Sequence, residues 1–156
     1  MKKKTYNNNI IYIGFLFYLI IGFFTYKNYG INIEEHFQRW NGFFWLDYIL
    51  SFTNFIDLKV KVKIILDNLY DPSLNNIPTY GPIFDANLAL IETIFNISSS
   101  KLYFEIRHLS TFLLFFLSAV CFYKIVQYRF KKFNIILFST LAYVITPRIY
   151  GDSFHN

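Results

Sequence analysis

Cysteine is all but absent: Cys121 is the single one in 156 residues, which excludes a disulfide framework and any cysteine-rich metal site. It sits inside an apolar run, where a small buried apolar side chain is the ordinary role and a reactive thiol the exceptional one. Charge is scarce too, at 16% of residues, and acids are missing from two basic stretches. Lys2, Lys3 and Lys4 open the chain with no acid beside them, and Lys124, Arg129, Lys131 and Lys132 form a second acid-free cluster. The net charge of +5 is therefore not a basic face for nucleic acid, because the cations cluster beside apolar runs, as topology-setting residues do. No internal repeat, nucleotide loop or low-complexity tract is present beyond Asn7-Asn8-Asn9.

What is present is apolar. The chain is 54% hydrophobic and 22% aromatic, with a mean hydropathy of +0.32, which favours a membrane class over a soluble one. Three apolar segments stand out: 10–26, 109–126 and 133–147. A helix crossing a hydrocarbon core of ~30 Å needs about 20 residues. The first two segments reach that, while the third is marginal and reads alternatively as a buried or re-entrant helix. The first is expected to be an uncleaved span rather than a signal peptide: it is longer than an ordinary apolar signal core, and Thr25-Tyr26-Lys27 offers no pair of small residues for cleavage.

The basic clusters then set one orientation. Residues 1–9 form a cytoplasmic basic tail, 10–26 a first transmembrane helix, and 27–108 an extracytoplasmic loop whose acids outnumber its bases. A second transmembrane helix covers 109–126, a cytoplasmic basic link 127–132, a third transmembrane helix 133–147, and a polar extracytoplasmic tip 148–156. The expected fold class is an all-α polytopic protein of the cell (inner) membrane, with about three transmembrane helices and a helical extracytoplasmic loop.

The loop is too long for a plain connector and lacks the Gly/Ser richness of a linker. Phe37, Trp40, Phe44 and Tyr48 share one helical stripe and Phe84, Leu88, Ile91 and Phe95 another, and each is expected to rest on the bilayer surface. Asp71-Pro72-Ser73 and Ile77-Pro78-Thr79 are breaks, and Tyr80-Gly81-Pro82 is a tight turn into the second helix. Between the stripes, Leu58, Val60, Val62 and Ile64 alternate with Lys59, Lys61 and Lys63. That pattern suits a strand, but a surface helix is the expectation beside other helices. From 101 to 127 nothing breaks a helix, which gives a rod of ~40 Å. Pro147 stops the third segment.

Few residues here carry chemistry. Glu34, Glu35 and His36 follow the first span in the stretch 30–42, where the acids would stand at the outer bilayer surface. Burial against lipid and each other's charge would suit one of them to general-base work near neutrality, and the plainer role is a solvated pair capping a helix over 35–50. Arg107 and His108 head the second span, placed either to hold a lipid-linked phosphate or simply to reach lipid headgroups. Arg148, Asp152 and His155 repeat that scheme in the tail. Asp152 and His155 are the weak candidates for a divalent metal, the one cofactor in view, because two donors do not define a site. Asn96-Ile97-Ser98 matches a glycosylation sequon, which matters only in a eukaryote.

The order of these features resembles the N-terminal part of a bacterial GT-C glycosyltransferase of the protein-mannosyltransferase-like group. A span precedes the stretch from Gly30 through Glu34, Glu35 and His36 to Trp40-Asn41-Gly42. Tyr80-Gly81-Pro82-Ile83-Phe84-Asp85 comes next, then Arg107-His108-Leu109 at the head of a second span, then Thr146-Pro147-Arg148 running on to Phe154. The resemblance implies a cell-envelope enzyme that moves a sugar from a polyprenyl-phosphate carrier to an extracytoplasmic glycan, lipid or protein acceptor, with inversion. It implies that the acidic pair, Asp-Glu in the family and Glu34-Glu35 here, holds the catalytic base, and that Arg107 grips the carrier phosphate. His108 and Arg148 are expected to assist in that grip, and Asp152 is the candidate acid of the second outer loop. Family members have more spans than this chain, so it is expected to be an incomplete portion, inactive alone and partnered by the C-terminal remainder of the same enzyme. The expected partners are the polyprenyl-phosphate sugar donor and membrane lipids, and no nucleic acid. The alternative is a non-catalytic three-span accessory protein whose outer loop docks a partner, and a weaker third reading is a lipid-handling or transport component.

Overall fold

The computed structural model describes residues 9–69 and 81–154, and every regular element among them is helical. The chain divides into two compact units, one from the segments up to Gly30 and from Glu105 onward, the other from Ile31–Phe104. Lys2, Lys3, Lys4 and the breaks expected at 71–73 and 77–79, with Tyr80, lie outside the described residues.

The first unit contains α1 (Asn9–Thr25), a 3-10 turn (Tyr26–Asn28), α5 (Ser100–Arg129) from Glu105 on, α6 (Phe133–Ile145) and α7 (Pro147–Asp152). Helix α1 is apolar all round: Phe15, Tyr18 and Gly22 pack inward while Phe17 and Phe24 stay exposed. An apolar exposed face is what a lipid-facing helix shows. Two helical stretches, Asn9–Asn28 and Ser100–Arg129, are long and apolar enough to cross a membrane. Helix α6 has 13 residues, or ~20 Å, and falls short of a hydrocarbon core, so the third expected span is a short helix here.

Aromatic rings fill this unit's core. The ring of Phe112 occupies the place where a side chain on Gly22 would stand, so the missing Cβ is what lets α1 and α5 meet there. Phe112 stacks on Phe154 with centroids 5.0 Å apart, and Phe154 stacks in turn on Tyr29 at 4.2 Å. The tail therefore differs from the polar tip expected of it. Pro147 opens α7 at a position where its missing N–H costs nothing, and Phe154 is fully buried four residues beyond Tyr150. Cys121 also departs from expectation: it is exposed, on the same outward face of α5 as Leu114, Leu117 and Ile125.

The second unit is built on α2 (Ile33–Leu50), α3 (Ile56–Leu69) and α4 (Pro82–Ile94). Its core is Phe43, Leu46 and Leu50 of α2 with Val62 of α3 and Ala89 of α4. The expected stripe on α2 is split: Trp40 is buried, Tyr48 is exposed, and Phe43, outside the stripe, is the centre. Phe37, Trp40 and Phe44 instead form a stacked ladder, with centroids 5.8 and 5.4 Å apart. The stripe on α4 splits too, with Leu88 buried and Phe95 exposed. Gly42 sits against the Asp85 backbone, whose carbonyl carbon would lie 2.8 Å from an added Cβ, so α2 and α4 cross at backbone contact.

Gly81 and Pro82 start α4 as N-cap and first-turn residues, as their sequence suggests. Its other end is closed by Asn96, the one non-glycine residue with positive φ (48°) among the described residues. The Ile97 N–H donates to Glu92 O and the Asn96 N–H to Thr93 O, the paired bonds of a left-handed helix cap that asparagine tolerates. The alternating stretch is helical in α3. A period of two on a helix throws Leu58 and Val62 inward and leaves Val60 and Ile64 exposed outward.

Candidate functional site

The plainer sequence reading had the acidic pair capping a helix over 35–50. The pair lies in the first turn of α2, because Asn32 is extended and its carbonyl accepts the Glu35 N–H at 3.1 Å. Both carboxylates thereby gain from the positive end of the helix. The two then diverge: Glu34 is exposed, while Glu35 is 1% exposed. His36 is exposed and meets the ring of Phe104 edge-on at 5.0 Å.

Glu35 does not stand alone on its face. Gln38 and Asn41 follow at helical spacing and are buried with it. From α4, Asp85 is buried opposite, and the Asn41 amide Nδ2 donates to Asp85 Oδ2 at 3.4 Å. The Gln38 carbonyl Oε1 is buried with no hydrogen-bond partner among the described residues, a cost normally tolerated only where a ligand or water serves it.

One turn along, Arg39 clamps Glu92. The Arg39 Nε donates to both Glu92 carboxylate oxygens at 3.2 and 3.1 Å, and Nη2 makes a further contact to Oε1. The guanidinium also lies over the Tyr103 ring, 3.8 Å from its centroid. This pair forms part of the wall of a cleft of about 420 Å³ that also takes in Lys61, Ile64, Asn96 and Ser98. Lys61 Nζ donates to Asn96 Oδ1 at 3.2 Å, and both line the cleft. The sequon asparagine is thus engaged in a cap and a side-chain bond.

In the other unit, Arg107 and His108 are 4% and 3% exposed, buried rather than reaching outward as headgroup contacts would. Lys27 and Glu105 approach to 4.0 Å. Arg148 falls in the first turn of α7, directly after Pro147. Asp152 is exposed at the end of α7, and His155 lies outside the described residues. Among the described residues no group of three or more His, Cys, Asp or Glu side chains is placed to hold a metal ion, and Asp152 alone does not fit one.

Known families, characterised proteins and solved structures offer no match to this chain. Its chemistry is read from its own groups. A dry carboxylate beside amide side chains can accept a proton from a hydroxyl whose other contacts those amides supply. Sequence reading singled out Glu35 but gave no role to Gln38, Asn41, Arg39, Asp85 or Glu92. The available signal was the spacing Glu35, Gln38, Asn41, a polar line on a helix otherwise rich in aromatics.

Proposed function

We propose that this chain carries the acid-bearing part of a membrane glycosyltransferase, which moves a sugar from a polyprenyl-phosphate carrier to an extracytoplasmic acceptor. The observation that carries the reading is the burial of Glu35 at the start of the helix that follows a membrane-length apolar stretch. In this reading Glu35 accepts the proton of an acceptor hydroxyl, and the hydroxyl oxygen bonds to the anomeric carbon. The bond from that carbon to the carrier phosphate breaks, the polyprenyl phosphate leaves with the electron pair, and the configuration inverts. Glu34, exposed to solvent, is the weaker candidate. The protein is multi-pass in the inner membrane, with the basic cluster of Lys124, Arg129, Lys131 and Lys132 on the cytosolic side.

The test is sugar transfer from a polyprenyl-phosphate sugar in membranes that carry this protein. Glu35→Gln is expected to lower the rate on the order of 10² to 10⁴-fold, the share of a positioned base. Glu34→Gln is expected to stay near the parent rate. Full activity in folded Glu35→Gln removes the proposed base. A second reading, a non-catalytic accessory whose outer loop docks a partner, is favoured by the mutual engagement of Arg39 and Glu92, which spends charge on holding the unit together. Transfer that is indifferent to both variants supports it.

A further inference from the structure

Helix α3 has two apolar stripes where a surface helix needs one. Leu58, Val62 and Leu66 cover α2, and Ile56, Val60 and Ile64 repeat every fourth residue on the opposite side. Those three are 73%, 53% and 57% exposed, and the turn before them adds Phe52 at 75% and Phe55 at 67%. An apolar patch this continuous is disfavoured in water and marks a surface that something apolar covers.

Two further observations say what covers it. Lys59 and Lys63 run along one edge of the outer stripe with no acid between them, while the other edge holds Asp57 and Lys61, the latter bonded to Asn96, and Asp67 follows the stripe one turn on. The edge of Lys59 and Lys63 suits a helix lying in a membrane interface, its lysines reaching up to anionic headgroups. The turn also pairs several of its own donors. The N–H groups of Phe52, Thr53 and Ile56 donate to Ile49 O, Leu50 O and Asn54 O, and the Ser51 and Thr53 hydroxyls donate to Tyr48 O and Leu50 O. Donors paired within the turn are not stranded when it leaves water for the headgroup–acyl boundary. Membrane-length apolar helices precede and follow this unit in the chain, so a bilayer is its standing neighbour.

We propose that the turn at 52–55 and the outer stripe of α3 lie in the headgroup–acyl boundary of a bilayer, with Lys59 and Lys63 on anionic lipid headgroups. The exposed apolar residues of α4, such as Ile83, have no bordering cations and are not part of this surface. The proposal does not depend on the glycosyl-transfer reading.

The test uses the full chain in vesicles of phosphatidylethanolamine and phosphatidylglycerol, in a Cys121→Ser background. Nitroxide labels are placed at Phe52→Cys, Phe55→Cys and Val60→Cys, with exposed Asn87→Cys as the control. The expected result is a several-fold higher ratio of collisions with oxygen to collisions with a polar nickel chelate at the three sites than at the control. Lys59→Gln with Lys63→Gln is expected to lower that ratio. Labels as open to the chelate as the control, or labels shielded from both reagents as a protein contact would leave them, overturn the proposal. So does a ratio unmoved by loss of both lysines.

Discussion

Gly22→Leu is expected to leave no folded first unit. Phe112 is fully buried and its ring fills the space a side chain at Gly22 would need, so leucine and the ring cannot coexist. The ring cannot swing away cheaply, because it stacks on Phe154 and lies within 5.6 Å of the Tyr18 centroid. Even Gly22→Ala should cost about 1–3 kcal/mol, the range for overpacking a tight interior. Gly14 on the same helix is the control, since nothing stands within 4 Å of an added Cβ there. Gly14→Ala should be neutral or stabilising by up to about 1 kcal/mol through helix propensity. Thermal unfolding of detergent-solubilised protein reads these differences. Phe112→Ala should restore part of what Gly22→Leu removes, and a Gly22→Leu chain as stable as the parent would refute the packing.

The second large effect is expected at Arg39 and Glu92. Their side chains are 11% and 7% exposed, so both charges are largely out of water and each exists at the other's side. Glu92→Ala strands a guanidinium between Phe43 and Tyr103, and should cost about 3–5 kcal/mol, as breaking a buried pair does. Replacing both residues by apolar ones, Arg39→Met with Glu92→Leu, should cost much less than either alone, because no uncompensated charge remains. Denaturant unfolding of the three chains measures the difference. A cost below about 1 kcal/mol for Glu92→Ala would mean that the pair behaves as a solvated surface contact.

These residues also mark how much of the molecule its sequence disclosed. Elements governed by local rules were legible: the unbroken helix through 101–127, the start of α4 at Gly81 and Pro82, and two apolar stretches long enough to cross a membrane. Helix α3 was legible as a helix, but its alternation concealed a double face that only a three-dimensional partner separates into inner and outer stripes. What stayed hidden was set by packing. Nothing local tells Phe43 from Trp40, or says that Phe112 needs a glycine opposite it. The buried polar line was hidden for the same reason. Glu34 and Glu35 are chemically alike, and only the packing around α2 buries one and leaves the other in solvent. The tail misled because Pro147 both ends one helix and begins another.

The proposed transfer requires the α2–α4 unit on the outer side of the membrane, and thiol accessibility in intact cells measures that directly. In a Cys121→Ser background, Asn87→Cys reports on that unit and Lys132→Cys on the basic link, both at exposed positions. A membrane-impermeant thiol reagent should label position 87 in intact cells and position 132 only after permeabilisation. Labelling of 132 in intact cells, with 87 protected until the membrane is opened, would put Glu35 in the cytosol and end the proposed transfer chemistry.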